Sequence, residues 1–463
     1  MGARRVSVHG EWSSRLAFVL AATGSAVGLG NIWKFPYMAG ENGGGAFVLV
    51  YLLCVACVGV PVMMAEVLLG RRGRRNPLET MATLAREEGR SAHWRWLGGM
   101  GIVAAFLILS FYSVIAGWTL AYVFRTAGGV FDGATATTVN RVFAALVADP
   151  ERLLAWHTIF MGMTMIVVAR GVRGGLERAV RFLMPALFVL LIVLVGYALN
   201  SGRFDEGLRF LFAPDFGRLT AAVVLAAVGQ AFFSLSLGMG AIMIYGSYLP
   251  HGASIARTSM TVAAADTAVA LLAGLAIFPI LFAEGLHPDQ GPSLIFKALP
   301  LAFGHMPGGA FFGTLFFVLL VFAAWTSAIS LLEPPVTWLV ENRGMSRVRA
   351  TVWAGVVTWL LGLCTVFSFN LWSGWRPLAA VPGFAAKGVF DIIDFFGSDV
   401  LLPLGGLLIS VFAGWVMARA SSAEELGLGE SPGYRVWRFL VRYVTPAGIG
   451  AVFLFRLKDA LAS

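Results

Sequence analysis

Two short stretches of this 463-residue chain place polar and backbone-exposing residues where an apolar helix is otherwise expected. The first is GSAVGLGNIWKFP, with Gly24, Gly28 and Gly30 inside seven residues. Each glycine costs a helix about 1 kcal/mol relative to alanine, so three together predict a break. The second is GQAFFSLSLGMGAIMIYGSY, where Ser234, Ser236, Gly238 and Gly240 interrupt the apolar pattern around Met239. A broken helix exposes amides at one half-helix end, which attract a carboxylate, and frees carbonyls at the other, which coordinate a cation. The chemistry of such a break therefore suits a zwitterion together with a small cation. Close packing through a small-residue pair such as Gly24 and Gly28 explains the first stretch equally well when it is taken alone.

A third residue belongs with these two stretches. Asp266 lies within the apolar run TVAAADTAVALLAG, and a carboxylate there is costly enough that a binding role outweighs a purely structural one. No phosphate-binding loop, metal-ligand cluster or nucleophile–base pair accompanies these segments.

The elements that must position these residues are membrane spans. Of the residues, 58% are hydrophobic and 13% charged, and the mean hydropathy is +0.80. A water-soluble fold could not cover such a chain with polar surface. Apolar runs of about 20 residues, enough to cross roughly 30 Å of hydrocarbon, recur throughout, so a single cleaved leader does not account for them. Spans are expected near 12–38, 43–70, 97–126, 153–170, 177–200, 219–249, 254–284, 309–341, 347–370, 388–419 and 434–457. That makes about eleven helices, the first and sixth of them interrupted. Corresponding interruptions in two halves of a chain point to an inverted repeat with a binding site near the membrane midplane.

The net charge of +9 sits in alternate loops: Arg4 and Arg5; Arg71, Arg72, Arg74 and Arg75; Arg170, Arg173, Arg178 and Arg181; Arg343, Arg347 and Arg349. This is the distribution of cytoplasmic loops rather than of a nucleic-acid surface, and it puts the amino terminus inside. Eleven spans leave the carboxyl terminus outside, where Arg456 and Lys458 run mildly against the charge rule. Two long outward connections, 127–152 and 285–308, include a Pro/Gly-rich segment expected to cap an entrance. Cys54, Cys57 and Cys364 lie in apolar runs and read as small buried hydrophobes, the C-x-x-C spacing notwithstanding.

GSAVGLGNIWKFPY, followed by ENGGGAFVLVY and GVPVMMAEVLLGR, resembles the neurotransmitter:sodium symporter family (the solute carrier 6 type), in its bacterial amino-acid branch. The likeness continues through GWTLAY, GQAFFSLSLGMGAIMIYGSYL, WTSAISLLEP and RYVTPAGIGAVF, covering nearly the whole chain. It implies an all-α integral membrane protein with a 5+5 inverted repeat, the first repeat about 12–200, the second about 219–419 and an extra helix about 434–457. It also implies sodium-coupled symport by alternating access in the bacterial inner membrane, by a monomer or loose dimer that is no enzyme and binds no nucleic acid.

By position, the resemblance implies two sodium sites. The first takes the carbonyl of Ala26, Asn31, Ser234 and Asp266, completed by the substrate carboxylate. The second takes carbonyls of Gly24, Val27 and Ala323 with the hydroxyls of Thr326 and Ser327. Asp266 replaces an asparagine of leucine-transporting members, and Ala270 stands where they carry glutamate one turn later. The charge that chloride supplies in some relatives is thus expected from Asp266.

At Gly28 monoamine-carrying members have an aspartate for the substrate ammonium, so a substrate here must bring its own carboxylate. Tyr112 and the amides of Leu29 and Gly30 are expected to hold that carboxylate. Ile108, Phe233, Ser236, Met239, Ser327 and Leu331 would line an apolar side-chain end. Met239, in place of a stiffer phenylalanine, predicts a permissive pocket for leucine-like and aromatic amino acids, tryptophan included.

The outer gate is expected from Lys34 and Asp394, ordered by Gln230, above a lid of Phe233 and Tyr112. The inner gate is expected at Glu341, with His9, Arg4 or Arg5 as its partner and Trp12 as anchor. Gly175 and Pro185 match a motif that unwinds in the family, and a static kink explains them equally. A channel would need filter loops or charged rings from symmetric subunits, and an enzyme would need an acid–base or metal constellation. An amino-acid receptor without transport is the reading hardest to separate from symport.

Overall fold

The computed structural model describes residue 5, residues 7–288 and residues 294–462, with side chains as far as 458. Arg4 and the 289–293 part of the outward segment lie outside the described residues. Among those described, helices dominate, and the one β feature is an isolated bridge between Gly44 and Pro214.

Among the described residues, nine helices are long and apolar enough to cross a bilayer, running from Gly45–Gly73 to Pro432–Lys458. A tenth span is the pair Arg15–Ala26 and Gly30–Glu41, bent by 52°. The expected eleventh, span six, falls short of that length because it is two pieces, Ala221–Ser234 and Ala241–Ser247. Both interruptions fall at the glycine and serine clusters, where intrinsic helix preference is weakest.

The bundle encloses its broken spans. Span eight, Gly309–Arg343, is the most enclosed of the continuous spans at 78% buried over its apolar window, while span eleven is the least at 22%. Exposed large apolar side chains such as Phe182, Ile192, Trp353 and Leu360 sit on spans five and nine. An apolar exterior of this kind belongs against lipid. The inner half of span six is clasped by span two: a Cβ on Gly70 would lie 1.8 Å from the Met243 carbonyl, and one on Gly246 2.8 Å from that of Val67. Only residues without side chains allow backbones this close.

The long connections 127–152 and 285–308 each contain a helix, Ala136–Ala148 in one and Leu294–His305 in the other.

Candidate functional site

The first helix stops at Ala26 because Val27 leaves helical geometry (φ −66°, ψ 109°), and helix resumes at Gly30. Asn31 spans the gap: its Oδ1 accepts from the Gly28 amide (3.1 Å), and its Nδ2 donates to Asp266 Oδ1 (2.7 Å) and the Asp266 carbonyl (3.2 Å). Asp266 is fully buried, and its Oδ2 has no hydrogen-bond partner. A buried carboxylate oxygen without a partner is costly, which marks the spot as one suited to a cation. Ser234 Oγ lies 3.3 Å from Tyr51 Oη.

Span six is interrupted by residues in left-handed geometry, Ser236 at φ 54°, Gly238 at φ 88° and Gly240 at φ 77°. A serine there is uncommon, and such strained backbone clusters at binding sites. Ser236 Oγ donates to the Ser25 carbonyl (2.9 Å), and Gln230 Nε2 donates to the Gly30 carbonyl (2.8 Å). The two breaks are thus stitched to each other. The Gly238 amide donates to Glu66 Oε1 (2.5 Å) on span two. Against span ten, backbone meets backbone: a Cβ on Gly238 would lie 2.3 Å from the Leu402 carbonyl, and one on Gly405 2.1 Å from that of Gly238.

On the other side of the first break, span eight supplies the hydroxyls. Ser327 Oγ donates to the carbonyls of Val27 (3.2 Å) and Ser25 (3.3 Å), while Thr326 Oγ1 turns to the Ala323 carbonyl (3.0 Å) of its own helix. Gly24 faces Thr326 and Met184, whose Cβ and Sδ would lie 3.3 and 3.1 Å from an added Cβ. Gly24, Val27, Ala323, Thr326 and Ser327 are accordingly gathered at one level of spans one and eight.

Tyr112 comes from span three, its hydroxyl accepting from the Leu29 amide at 3.3 Å. Leu29, Gly30, Tyr112 and Phe233 line a cavity of about 500 Å³. Aromatic residues Trp33, Phe111, Trp118, Phe143 and Phe296 supply most of its remaining surface, with Lys34, Lys297 and Asp394 as its charges. Phe296 and Lys297 belong to the helix of the second outward connection, which therefore covers this cavity. Ile108, Ser236, Met239, Ser327 and Leu331, expected to line the same pocket, do not reach it. Met239 is held in the interruption of span six with its backbone against Gly101 and is buried in the bundle, and Ile108 packs at Gly397. The aromatic wall was not anticipated, because its members are scattered over several elements and look like ordinary apolar residues in sequence.

The outer pair stands open. Lys34 and Asp394 both border the cavity, yet they form no ion pair within 4.0 Å. Lys34 Nζ instead stands 3.8 Å from the centre of the Phe233 ring, and Asp394 Oδ1 accepts from Ser398 (2.7 Å) one turn along its helix. Each charge has a local partner, and a lysine lacks the planar fork that would span the gap. Gln230 makes no hydrogen bond to either member of the pair and braces the first-span break.

The opposite end is closed. His9 Nε2 lies 2.9 Å from Glu341 Oε1, and both are buried. Asn76 adds bonds from its amide and side chain to Glu341, each 2.9 Å. Arg5 turns away, pairing with Glu87 and with the Arg72 carbonyl. Trp12 is buried, its indole donating to the Tyr245 carbonyl (3.1 Å) and its amide to that of Tyr248 (3.0 Å). A network the sequence did not suggest lies beside it: Tyr248 Oη donates to Glu333 Oε1 (2.7 Å) and Arg347 Nη2 to Glu333 Oε2 (2.6 Å).

In span five, Gly175 lies in the wide turn Val172–Glu177 and Pro185 in the helix Arg178–Leu199. A Cβ on Gly175 would lie 2.0 Å from the Val167 carbonyl, so close packing on span four alone demands a glycine. Glu177 of that turn accepts from the Ser13 amide (3.0 Å) and hydroxyl (2.5 Å), tying down the amino-terminal segment.

A family model for the sodium:neurotransmitter symporter family matches residues 9–133 and 149–458. The chain is 40% identical over 447 residues to YhdH of Bacillus subtilis, described as an uncharacterized sodium-dependent transporter, covering 96% of this chain and 97% of that one. It is 31% identical over 471 residues to the similarly described MJ1319 of Methanocaldococcus jannaschii, covering 98% and 91%. To the sodium-dependent serotonin transporter of Drosophila melanogaster it is 25% identical over 500 residues, covering 96% and 76%. Among solved structures, MhsT in complex with L-phenylalanine superposes with a TM-score of 0.86 at 44% identity, covering 96% of this chain and 99% of that one.

Proposed function

Because this chain belongs to the sodium:neurotransmitter symporter family, whose members are transporters and not enzymes, we propose that it carries neutral hydrophobic and aromatic L-amino acids with sodium by alternating access. The observation that carries the substrate class is the space at Gly28. A Cβ there would lie 2.5 Å from Ser327 Oγ and 3.0 Å from Tyr112 Oη, so no acidic side chain fits to meet an amine. A substrate must then carry its own carboxylate, and the Leu29 and Gly30 amides with the Tyr112 hydroxyl form its cradle. The phenylalanine held by MhsT, a close structural neighbour, supports the same class.

Sodium is cargo in this reading. One ion takes Ala26, Asn31, Ser234 and Asp266, with the substrate carboxylate as a further ligand. The partnerless Oδ2 of Asp266 supports that assignment, and a resident carboxylate there makes chloride unnecessary. The other ion takes Gly24, Val27, Ala323, Thr326 and Ser327. All are hard oxygen donors, as a small cation requires. Ile108, Phe233, Ser236, Met239, Ser327 and Leu331 surround the substrate side chain once it settles below the aromatic cavity.

The cavity between Lys34 and Asp394 is the outer entrance, and approach of that pair over bound substrate is the closing step. Separation of His9 from Glu341, release of Trp12 and weakening of span five between Gly175 and Pro185 open the other side. The two repeats, 12–200 and 219–419, exchange these roles around the midplane site while 434–457 stands outside them. The amino terminus is cytoplasmic, in the inner membrane of a bacterium. Two sodium ions with a net-neutral substrate move two charges, worth about 4.6 kcal/mol at 100 mV, or roughly a thousandfold accumulation.

Liposomes containing the protein and given an inward sodium gradient should accumulate radiolabelled leucine and tryptophan above equilibrium, and should not do so with potassium on both sides. Binding without accumulation would make the protein a receptor. Accumulation of decarboxylated amines in preference to amino acids would overturn the role of Gly28.

A further inference from the structure

Span ten ends and span eleven begins at the same end of the bundle as Trp12. The helix Arg419–Leu426 between them lies against span two, with Arg71 Nε 2.5 Å from Glu425 Oε1 and Arg72 Nη1 3.3 Å from the Ser421 carbonyl. Beside it is a second cavity, about 480 Å³, with four arginines on its walls: Arg419, Arg435, Arg438 and Arg442. The last three follow a three- and four-residue spacing, which puts them on one face of span eleven over about 10 Å of its length.

This cluster is short of negative charge. Arg419 pairs with Glu430, but among the described residues Arg435, Arg438 and Arg442 meet no carboxylate within 4.0 Å. Two of them are nevertheless held in place. Arg438 donates to Ser422 Oγ (3.0 Å) and Tyr434 Oη (3.0 Å), and the Arg442 guanidinium lies 3.9 Å from the centre of the Trp415 ring. The Nε of Arg442 is buried with no partner at all. Positioned guanidinium groups with unused donors match the oxygens of a phosphate.

The rim of this cavity is apolar. Phe439 and Tyr443 line it, Trp415 packs against Arg442 and Tyr443, and all three, like Val436 next to Arg435 in sequence, are 48–58% exposed. Tryptophan and tyrosine in such positions mark the boundary between headgroups and hydrocarbon. A soluble anion gains nothing from Val436 and Phe439, whereas acyl chains would cover them. We propose that this cavity binds the phosphodiester headgroup of an anionic phospholipid, with its chains against the exposed face of span eleven. Basic pockets between helices at this end of membrane proteins have the right chemistry for that headgroup.

The test is native mass spectrometry of the full-length protein in neutral detergent, titrated with phosphatidylglycerol, phosphatidylcholine or inorganic phosphate. One phosphatidylglycerol should be retained in preference to phosphatidylcholine, and inorganic phosphate at the same concentration should not displace it. Removing arginines should weaken retention about fivefold for Arg435→Gln and about twenty-fivefold for Arg435→Gln with Arg442→Gln. Arg435 is exposed and its side chain makes no hydrogen bond or ion pair among the described residues, so the single variant separates lipid binding from folding. Arg257→Gln, an exposed arginine at the same end, should change nothing. Equal retention of phosphatidylcholine, an equal loss in Arg257→Gln, or displacement by inorganic phosphate would each overturn the proposal.

Discussion

Replacing Gly28 by alanine adds one methyl group at the point where three helices converge. Its carbon would stand 2.5 Å from Ser327 Oγ and 3.0 Å from Tyr112 Oη, both too close. The serine can rotate away, but its hydroxyl then leaves the carbonyls of Val27 and Ser25, 3.2 and 3.3 Å distant. Retreat of the tyrosine lengthens its 3.3 Å contact with the Leu29 amide. Two buried hydrogen bonds at about 1 kcal/mol each come to about 2 kcal/mol, a factor of roughly 30. The loss should appear as a rise in the KM for leucine, and in the sodium concentration at half-maximal uptake, because Ser327 and Val27 also belong to the proposed second ion site. Proteoliposome uptake measured against both solutes checks this, with a thermal melt to confirm that the variant is folded. Wild-type values for both parameters in a folded Gly28→Ala protein would refute the packing argument and the carboxylate cradle built on it.

Asp266→Asn keeps the shape of the site but removes its charge, so uptake should become stimulated by chloride. The unaltered protein should transport equally in chloride and gluconate, and loss of uptake in gluconate would end the proposal that Asp266 takes the place of chloride. Tyr112→Phe deletes the partner of the Leu29 amide and should raise the substrate KM about tenfold while leaving Vmax within a factor of two, measured by the same uptake assay. His9→Ala leaves Glu341 with only its Asn76 bonds, whereas Arg5→Ala disturbs only the Glu87 pair. Sodium leak from preloaded liposomes should therefore rise in the first variant and stay at the wild-type level in the second.

Much of the architecture was legible because membrane burial writes it plainly. Long apolar runs give spans, and glycine and serine clusters can interrupt a helix only where protein surrounds it. The pairing of Asn31 with Asp266 involves distant spans, but both residues are conspicuous as polar groups at membrane depth. What stayed hidden depends on distance through space. Lys34 and Asp394 are each satisfied locally, by a ring face and by Ser398, and no spacing in the chain could reveal that they stand apart. The bond from Gln230 to the Gly30 carbonyl is hidden for the same reason. The aromatic cavity draws Trp118, Phe143, Phe296 and Phe390 from four elements, none distinctive alone. Glu66 was within reach, being a carboxylate inside an apolar run like Asp266, and the same burial argument would have found it.

The contact between Gly238 and Gly405 is made by main chain alone, with no side chain interposed on either strand. Packing between side chains can slide, because rotamers change and methyl groups slip past one another. Two peptide planes pressed together have no such slack. At this level the interrupted stretch of span six and the adjoining stretch of span ten can come no closer, so a displacement of one toward the other must be passed on. A push of either segment against the other is therefore felt by both, and a marker fixed near this contact on one would report it on the other.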